Sequence, residues 1–251
     1  MDVWKRDIWT NPGVNSIFGQ EIYEYDIASA GANLLKFYHL VDDSISDKLL
    51  SLPKKKRVVE MGLYLKKHPD LNKSLKEAFA NIRKMFFESN GIDMYDLVSI
   101  KKDAIFLTRE VKFTIFDNIE FRVKNKYTSF IQLSPLELYY ANGEVTIKGI
   151  NETEIPYFSE TWIPFYKTLF QKAEGFGKDE ALQYLRRFID RYKKDELPIE
   201  YYREFRPGAM FSVLNPDDTN AYFTFPEERR SELNIQYNYL NVLMKTALIF
   251  V

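Results

Sequence analysis

The chain has 251 residues, 45% of them hydrophobic and 16% aromatic, which is enough to build a sizeable folded core. Its formal net charge of −1 excludes a general electrostatic attraction to polyanions, so such binding would depend on local basic patches. The absence of cysteine excludes disulfides, thiolate zinc sites and a cysteine nucleophile. Because there are two histidines, we expect any metal ligands to be oxygen atoms, which favour Mg²⁺ or Mn²⁺ over Zn²⁺.

The N-terminal segment and the hydropathy pattern bear on where the chain acts. Residues 1–9 lack the apolar core of a signal peptide, and the sequence contains no run of 18 apolar residues. We therefore expect a soluble cytoplasmic protein that has no membrane partner.

The first 90 residues predict one strand followed by several helices. Residues 1–20 contain the turn signal Asn11-Pro12-Gly13 and predict an irregular lead-in, and residues 21–26 predict a strand. Beyond this strand, apolar residues recur at three- and four-residue steps, which is typical of helices. The predicted helices are 29–40, 44–50, 58–67 after the four cations Lys54–Arg57, and 70–89.

The pattern changes to strands after residue 96 and back to helices after residue 150. The strands are predicted at 97–101, 103–109, 111–116, 119–124, 127–133, 136–141 and 144–149, with turns at Asp117-Asn118 and Asn142-Gly143. The later helices are predicted at 156–172, 178–194 and 199–205, before a loop at 215–218 and an aromatic-rich end at 234–251. We therefore predict an α+β domain at 1–150 and a mainly helical domain at 151–251.

Two acids stand at the ends of predicted strands. Asp26 closes the run 21–26, and Asp103 lies at the tip of a hairpin within Val98–Glu110. A carboxylate that is held rigidly at a strand end is suited to bind a metal ion. We therefore expect the two acids to face each other and to share such an ion. The residues alone leave a second interpretation open, in which Asp26 is a helix N-cap and Asp103 a turn residue. Glu24 shares a strand face with Asp26, where it could support the site or face solvent, and we favour solvent.

The order of these pieces resembles the palm, short fingers and thumb of family B DNA polymerases. Asp26–Asn33 stands where that family has Asp-x-x-Ser-Leu-Tyr-Pro-Ser, and Lys101–Phe106 is similar to its Asp-Thr-Asp-Ser-Ile-Phe hairpin. Lys124–Tyr127 and Asn142–Ile150 resemble its Lys-Lys-Tyr strand and the hairpin that follows. The likeness covers most of residues 20–251 in short matches, and the family's exonuclease domain is absent.

The resemblance implies template-dependent nucleotidyl transfer, with reduced fingers at about residues 44–90. Asp26 and Asp103 would hold Mg²⁺ or Mn²⁺ for two-metal phosphoryl transfer on a nucleic-acid template and primer, with nucleoside triphosphates as substrates. A chain of this size suits a virus or mobile element, acting in the host cytoplasm, with a protein partner supplying the missing fingers or processivity.

The resemblance also implies two sets of binding residues. The nucleotide would be contacted by Ser29, Gly31, Lys55, Lys56 and Arg57, and the nucleic acid by Lys124, Lys126, Lys148, Arg186 and Arg187. The cations of both sets have a simpler interpretation as solvated helix or strand faces, which the sequence leaves open.

Three departures from the family pattern leave rival functions open. Lys101 replaces the first acid of the hairpin motif, and Gly31 replaces the tyrosine that excludes the 2′-hydroxyl, which implies weak discrimination between ribo- and deoxyribonucleotides. The fingers motif is not clearly present. Lys101 favours a non-catalytic palm-thumb scaffold that binds nucleic acid or protein, and the near-zero net charge fits a structural or assembly protein.

Overall fold

A computed structural model describes residues 2–133, 136–149, 162–194, 196–198, 201, 243 and 246–250. The chain is a mixed α and β protein whose strands pair in antiparallel fashion, in agreement with the predicted α+β class. It forms two compact units, residues 1–13 with 21–126 and residues 14–20 with 127–251. The predictions at 156–161, 199–200, 202–205, 215–218 and most of 234–251 lie outside the described residues.

The first unit combines a sheet with four helices among its described residues. After a 3₁₀ turn at Val3–Lys5, its elements are β1 (Ile8–Thr10), β2 (Ser16–Ile27), α1 (Ala30–Phe37), α2 (Asp43–Ser51), α3 (Lys54–Lys67), α4 (Pro69–Asn90), β3 (Leu97–Lys101), β4 (Ala104–Leu107), β5 (Ile115–Phe116) and β6 (Ile119–Leu133). Within this unit the strands are ordered β1-β3-β4-β2-β6, and β5 pairs with β6. β2 and β6 also supply residues to the second unit.

Helix α4 covers one face of this sheet. It begins at Pro69, and proline is favourable there because the backbone N–H groups of the first helical turn have no partner within the helix. It is capped at its C-terminal end by Gly91, which adopts the left-handed conformation with a φ of 57°. Cross-strand pairing puts Ile100, Ile105 and Tyr25 on the same face. These residues belong to a buried core that also contains Ile82 and Phe86 of α4. The opposite face of β2 therefore carries Glu24 and Asp26.

The second unit packs a hairpin against two helices. Its further elements are β7 (Leu136–Ala141), β8 (Glu144–Lys148), α5 (Trp162–Phe176) and α6 (Lys178–Lys193). Asn142 and Gly143 have φ angles of 51° and 78°, as a two-residue I′ turn requires, so the predicted hairpin is confirmed. Leu136, Leu138 and Tyr140 of β7 share a core with the buried residues of α5 and α6.

Several sequence-based boundaries differ from the structure. Residues 1–20 are not an irregular lead-in, because they contain β1 and the beginning of β2. The strands predicted at 119–124 and 127–133 form one strand, β6, which runs unbroken through the polar residues between them. The predicted domains 1–150 and 151–251 stay a prediction. The palm-like and thumb-like assignments stay predictions.

Replacing Phe86 tests the core that fixes the sheet. Phe86 is fully buried and stacks on Phe121 at a centroid distance of 4.2 Å, so Phe86→Ala is expected to lower the free energy of unfolding by about 3–5 kcal/mol. Its neighbour Met85 is 37% exposed, so Met85→Ala should cost less than about 1 kcal/mol. Urea unfolding followed by tryptophan fluorescence measures both. Equal losses would contradict the assignment of this core.

Candidate active site

The structure brings Asp26 and Asp103 together although 76 residues separate them in the chain. Strand β2 pairs with β4 in the register Tyr25 with Ile105. Asp26 follows Tyr25, and Asp103 precedes Ala104, which begins β4. The register continues from Tyr25 and Ile105 to Asp26 and Ala104, so Asp26 lies beside the residue that follows Asp103. The two acids are therefore at the same end of neighbouring strands.

The pKa of Asp103 also indicates that Asp26 is nearby. Burial raises the pKa of the Asp103 carboxyl, and the charge of Asp26 raises this pKa further. Its own backbone amide and the ammonium groups of Lys124 and Lys102 act in the opposite direction without cancelling the rise. The ionised form of Asp103 is therefore disfavoured here, and a cation placed beside both acids would relieve that cost.

Two cations from β6 neutralise Asp26. The Nε of Arg122 lies 3.0 Å from Oδ1 of Asp26, and the Nζ of Lys124 lies 3.1 Å from Oδ2. Burial opposes the charged form of Lys124, but the carboxylates of Glu24 and Asp26 outweigh it, so the pKa of Lys124 is raised.

Asp26 lies inside a strand and Ser29 occupies the N-cap position of α1, so Asp26 is not a helix cap.

Glu24 does not face solvent, contrary to the expectation from sequence. Its side chain is 1% exposed and is surrounded by partners from β6. Lys124 Nζ lies 3.5 Å from Oε1, and Asn125 Nδ2 donates to Oε2 at 2.7 Å. The period-two pattern placed Glu24 and Asp26 on one face correctly, but it did not show that this face is covered. Glu24, Asp26, Asp103, Arg122 and Lys124 form what we call the acid-base cluster.

Arg83 of α4 fixes the hairpin tip that carries Asp103. Its buried guanidinium donates to the carbonyl oxygens of Trp4 and Lys102 at 2.8 and 2.7 Å, and to Asp7 Oδ1 at 3.2 Å. Lys102 has a φ of 58°, and its amide donates to the Asp7 carbonyl oxygen at 2.6 Å. The tip is therefore held by a buried cation that the sequence analysis did not select.

The predicted nucleotide-binding residues lie around the start of α1. Ser29, in the left-handed region at φ 53°, accepts a hydrogen bond from Arg57 of α3. A Cβ at Gly31 would lie 2.7 Å from Sδ and Cε of Met61, so α3 fills the space beside this glycine. Lys55 and Lys56 are exposed in the first turn of α3.

The remaining predicted cations are distributed over both units. In the first unit, the Lys126 ammonium lies over the Tyr23 ring at 4.8 Å. Lys101, which is not one of the predicted nucleic-acid contacts, has its Nζ 3.3 Å from Thr10 Oγ1 of β1. In the second unit, Lys148 of β8 pairs in register with Glu137. Exposed Arg186 and Arg187 lie on α6 of that unit, where Arg187 is 3.5 Å from Glu180. Their predicted role in nucleic-acid binding stays a prediction.

Comparison with known proteins assigns the chain to a phage family. The family described as bacteriophage PBS1 gene 130 protein matches residues 1–248. The chain belongs to this family. No curated protein matches the chain. Among the helices of this gene 130 family member that the structure describes, none is long and apolar enough to cross a membrane.

The carboxylate oxygens of the acid-base cluster are suited to an ion such as Mg²⁺, which binds oxygen ligands and needs few of them from the protein. In the described part of this gene 130 family member, no group of three or more acids or histidines is arranged to hold a metal ion. Asp26 and Asp103 supply carboxylate oxygens from two rigid strand ends, and Mg²⁺ in phosphate-handling sites commonly takes one or two carboxylates beside substrate phosphates. The ammonium of Lys124 on Asp26 already shows that a cation is accommodated there.

Substituting Arg83 tests how the hairpin tip is held. Arg83→Met removes a buried guanidinium and leaves two part-buried carbonyl oxygens and Asp7 without their donor, so the free energy of unfolding should fall by about 3 kcal/mol. Lys76→Met, at an exposed position of the same helix, should change stability by less than about 0.5 kcal/mol. Chemical denaturation compares the two. A loss below about 1 kcal/mol for Arg83→Met would show that the tip is fixed by other contacts.

Neutralising Asp103 is expected to stabilise the protein at neutral pH. The pKa of Asp103 is higher in the folded chain than the ordinary 3.8, so its ionisation costs folding free energy once the pH exceeds that value. Asp103→Asn removes this cost, and the gain should shrink as the pH is lowered from 8 toward 4, where the wild-type carboxyl becomes protonated.

Thermal unfolding at several pH values measures the gain from Asp103→Asn. Asp117→Asn, at the exposed tip of the β5–β6 hairpin, is the matched control and should give no comparable gain. Destabilisation by Asp103→Asn at pH 8 would instead identify Asp103 as a structural turn residue.

Proposed function

We propose that the chain is a template-dependent nucleotidyltransferase that resembles a reduced family B DNA polymerase. The observation that carries the proposal is the adjacency of Asp26 and Asp103 at one end of the paired strands β2 and β4. Carboxylates that are remote in sequence, close in space and mutually repulsive are the arrangement that phosphoryl transfer with divalent ions requires. The match to a phage family fits a chain that acts in the cytoplasm of a host.

The residues of the cluster have separate roles in this proposal. Asp26 and Asp103 would hold Mg²⁺ or Mn²⁺, which supplies charge stabilisation to the transferring phosphoryl group and activates the primer hydroxyl. Arg83 holds the Asp103 tip through its hydrogen bonds to Lys102 and Asp7. Ser29 and Arg57, bonded to each other beside the strand end, and the exposed Lys55 and Lys56 would bind the triphosphate.

A second candidate function is non-catalytic binding of nucleic acid. Both oxygens of Asp26 are already paired with cations, and Lys101 stands where the polymerase family has an acid. A scaffold that has lost its metal would show this kind of internal neutralisation. Such a protein would bind nucleic acid through exposed cations such as Arg186 and Lys126, with an affinity that falls steeply with salt.

Primer extension by the purified full chain tests the catalytic proposal. With Mg²⁺ or Mn²⁺, a primed template and nucleoside triphosphates, the wild type should extend the primer. Asp26→Asn and Asp103→Asn should each reduce the rate by about 100-fold or more, because each removes one ligand from ions that stabilise the transition state by several kcal/mol. Asp117→Asn, a carboxylate at another hairpin tip, should leave the rate unchanged.

The same assay separates the two candidate functions. Extension that survives both substitutions would show that another site carries the activity. No extension, together with salt-dependent binding of the primed template, would favour the non-catalytic scaffold. Neither extension nor binding at any salt concentration would favour a structural or assembly protein.

A further inference from the structure

Lys124 lies where a cation of the proposed site would be expected. Its Nζ is 3.1 Å from Oδ2 of Asp26 and 3.5 Å from Oε1 of Glu24. The two carboxylates are 9% and 1% exposed, whereas the Lys124 side chain is 43% exposed. A buried carboxylate cannot leave such a bridge without losing its compensation, but a partly exposed ammonium can move toward water. Lys124 is therefore the member of this bridge whose movement costs least.

We propose that Lys124 is a resident counterion, which bridges Glu24 and Asp26 in the metal-free protein and leaves Asp26 when a divalent ion binds there. This inference rests on the proposed function, because the ion is the one assigned to Asp26 and Asp103. Arg122 bonds Oδ1 of Asp26 and Lys124 bonds Oδ2, so the departure of Lys124 frees one defined oxygen for the ion.

Glu24 provides the second position for the departing lysine. Asn125 Nδ2 fixes Oε2 of Glu24 at 2.7 Å, while Oε1 already faces Lys124. The ammonium can therefore remain paired with Glu24 after it leaves Asp26, and Glu24 is not left as an unpaired buried charge. Glu24 is thus a positioning residue for the lysine and not a ligand of the ion.

Titration with Mn²⁺ alone, followed by electron paramagnetic resonance of the free ion, tests the inference on the full chain. Lys124→Met removes the competitor and should bind Mn²⁺ about 10-fold more tightly than the wild type. Lys126→Met removes the same charge from the same strand, but its ammonium lies over the Tyr23 ring, and its Mn²⁺ affinity should stay within about two-fold of the wild type.

A double variant guards against loss of folding. Lys124→Met alone deprives a buried carboxylate of its partner, so Glu24→Gln with Lys124→Met removes both charges. This double variant should also bind Mn²⁺ more tightly than the wild type, but with a smaller gain, because the charge of Glu24 is lost as well. If the wild type binds Mn²⁺ and the folded Lys124 variants bind it equally or more weakly, the resident counterion is disproved while the metal site stands. If none of these folded proteins binds Mn²⁺ at millimolar concentration, the inference and the proposed catalytic function both fail.

Discussion

The pairing of β2 with β4 is the constraint on which the candidate site depends. It joins a strand that ends near Asp26 to a hairpin whose tip carries Asp103, and its register decides that the two acids meet at one end. A shift of this register by one residue would send every side chain of β4 to the opposite face. The core beneath the sheet resists such a shift, because Ile105 and Tyr25 are fully buried against α4.

Charge compensation is the second condition for the site. Glu24, Asp26 and Asp103 lie close together, and Arg122 and Lys124 of β6 compensate part of their negative charge. The compensation is uneven, since both oxygens of Asp26 have a cation while the pKa of Asp103 remains raised. An arrangement optimised for stability alone would have no reason to keep the Asp103 carboxyl in a position that disfavours its charge.

Local patterns predicted the elements whose side chains alternate regularly or end at a clear turn. The helix at 70–89 and the Asn142-Gly143 hairpin are examples, because residues close together in the chain determine both the helical spacing and the left-handed turn. The start of β2 was missed, since its exposed and half-buried residues around Gly19, with φ 67°, give no clear alternation. The polar middle of β6 likewise made one strand look like two.

The candidate site was predictable as a pair of acids but not as a cluster. Hairpin and strand-end signals select Asp26 and Asp103, whereas the partners of the buried Glu24 are Lys124 and Asn125, about a hundred residues away. One signal was available in the sequence, because two acids spaced by two in β2 match two cations spaced by two in β6, Arg122 and Lys124. Arg83 gave no signal, since its partners are mainly backbone oxygens.

The proposed function depends on Asp26 and Asp103 binding one divalent ion together. Anomalous scattering from a crystal of the full chain soaked in Mn²⁺ tests this joint coordination. We expect an anomalous peak about 2.0–2.4 Å from an oxygen of each carboxylate. A structure at millimolar Mn²⁺ with no peak between these two acids, or with the peak at another set of residues, would contradict it.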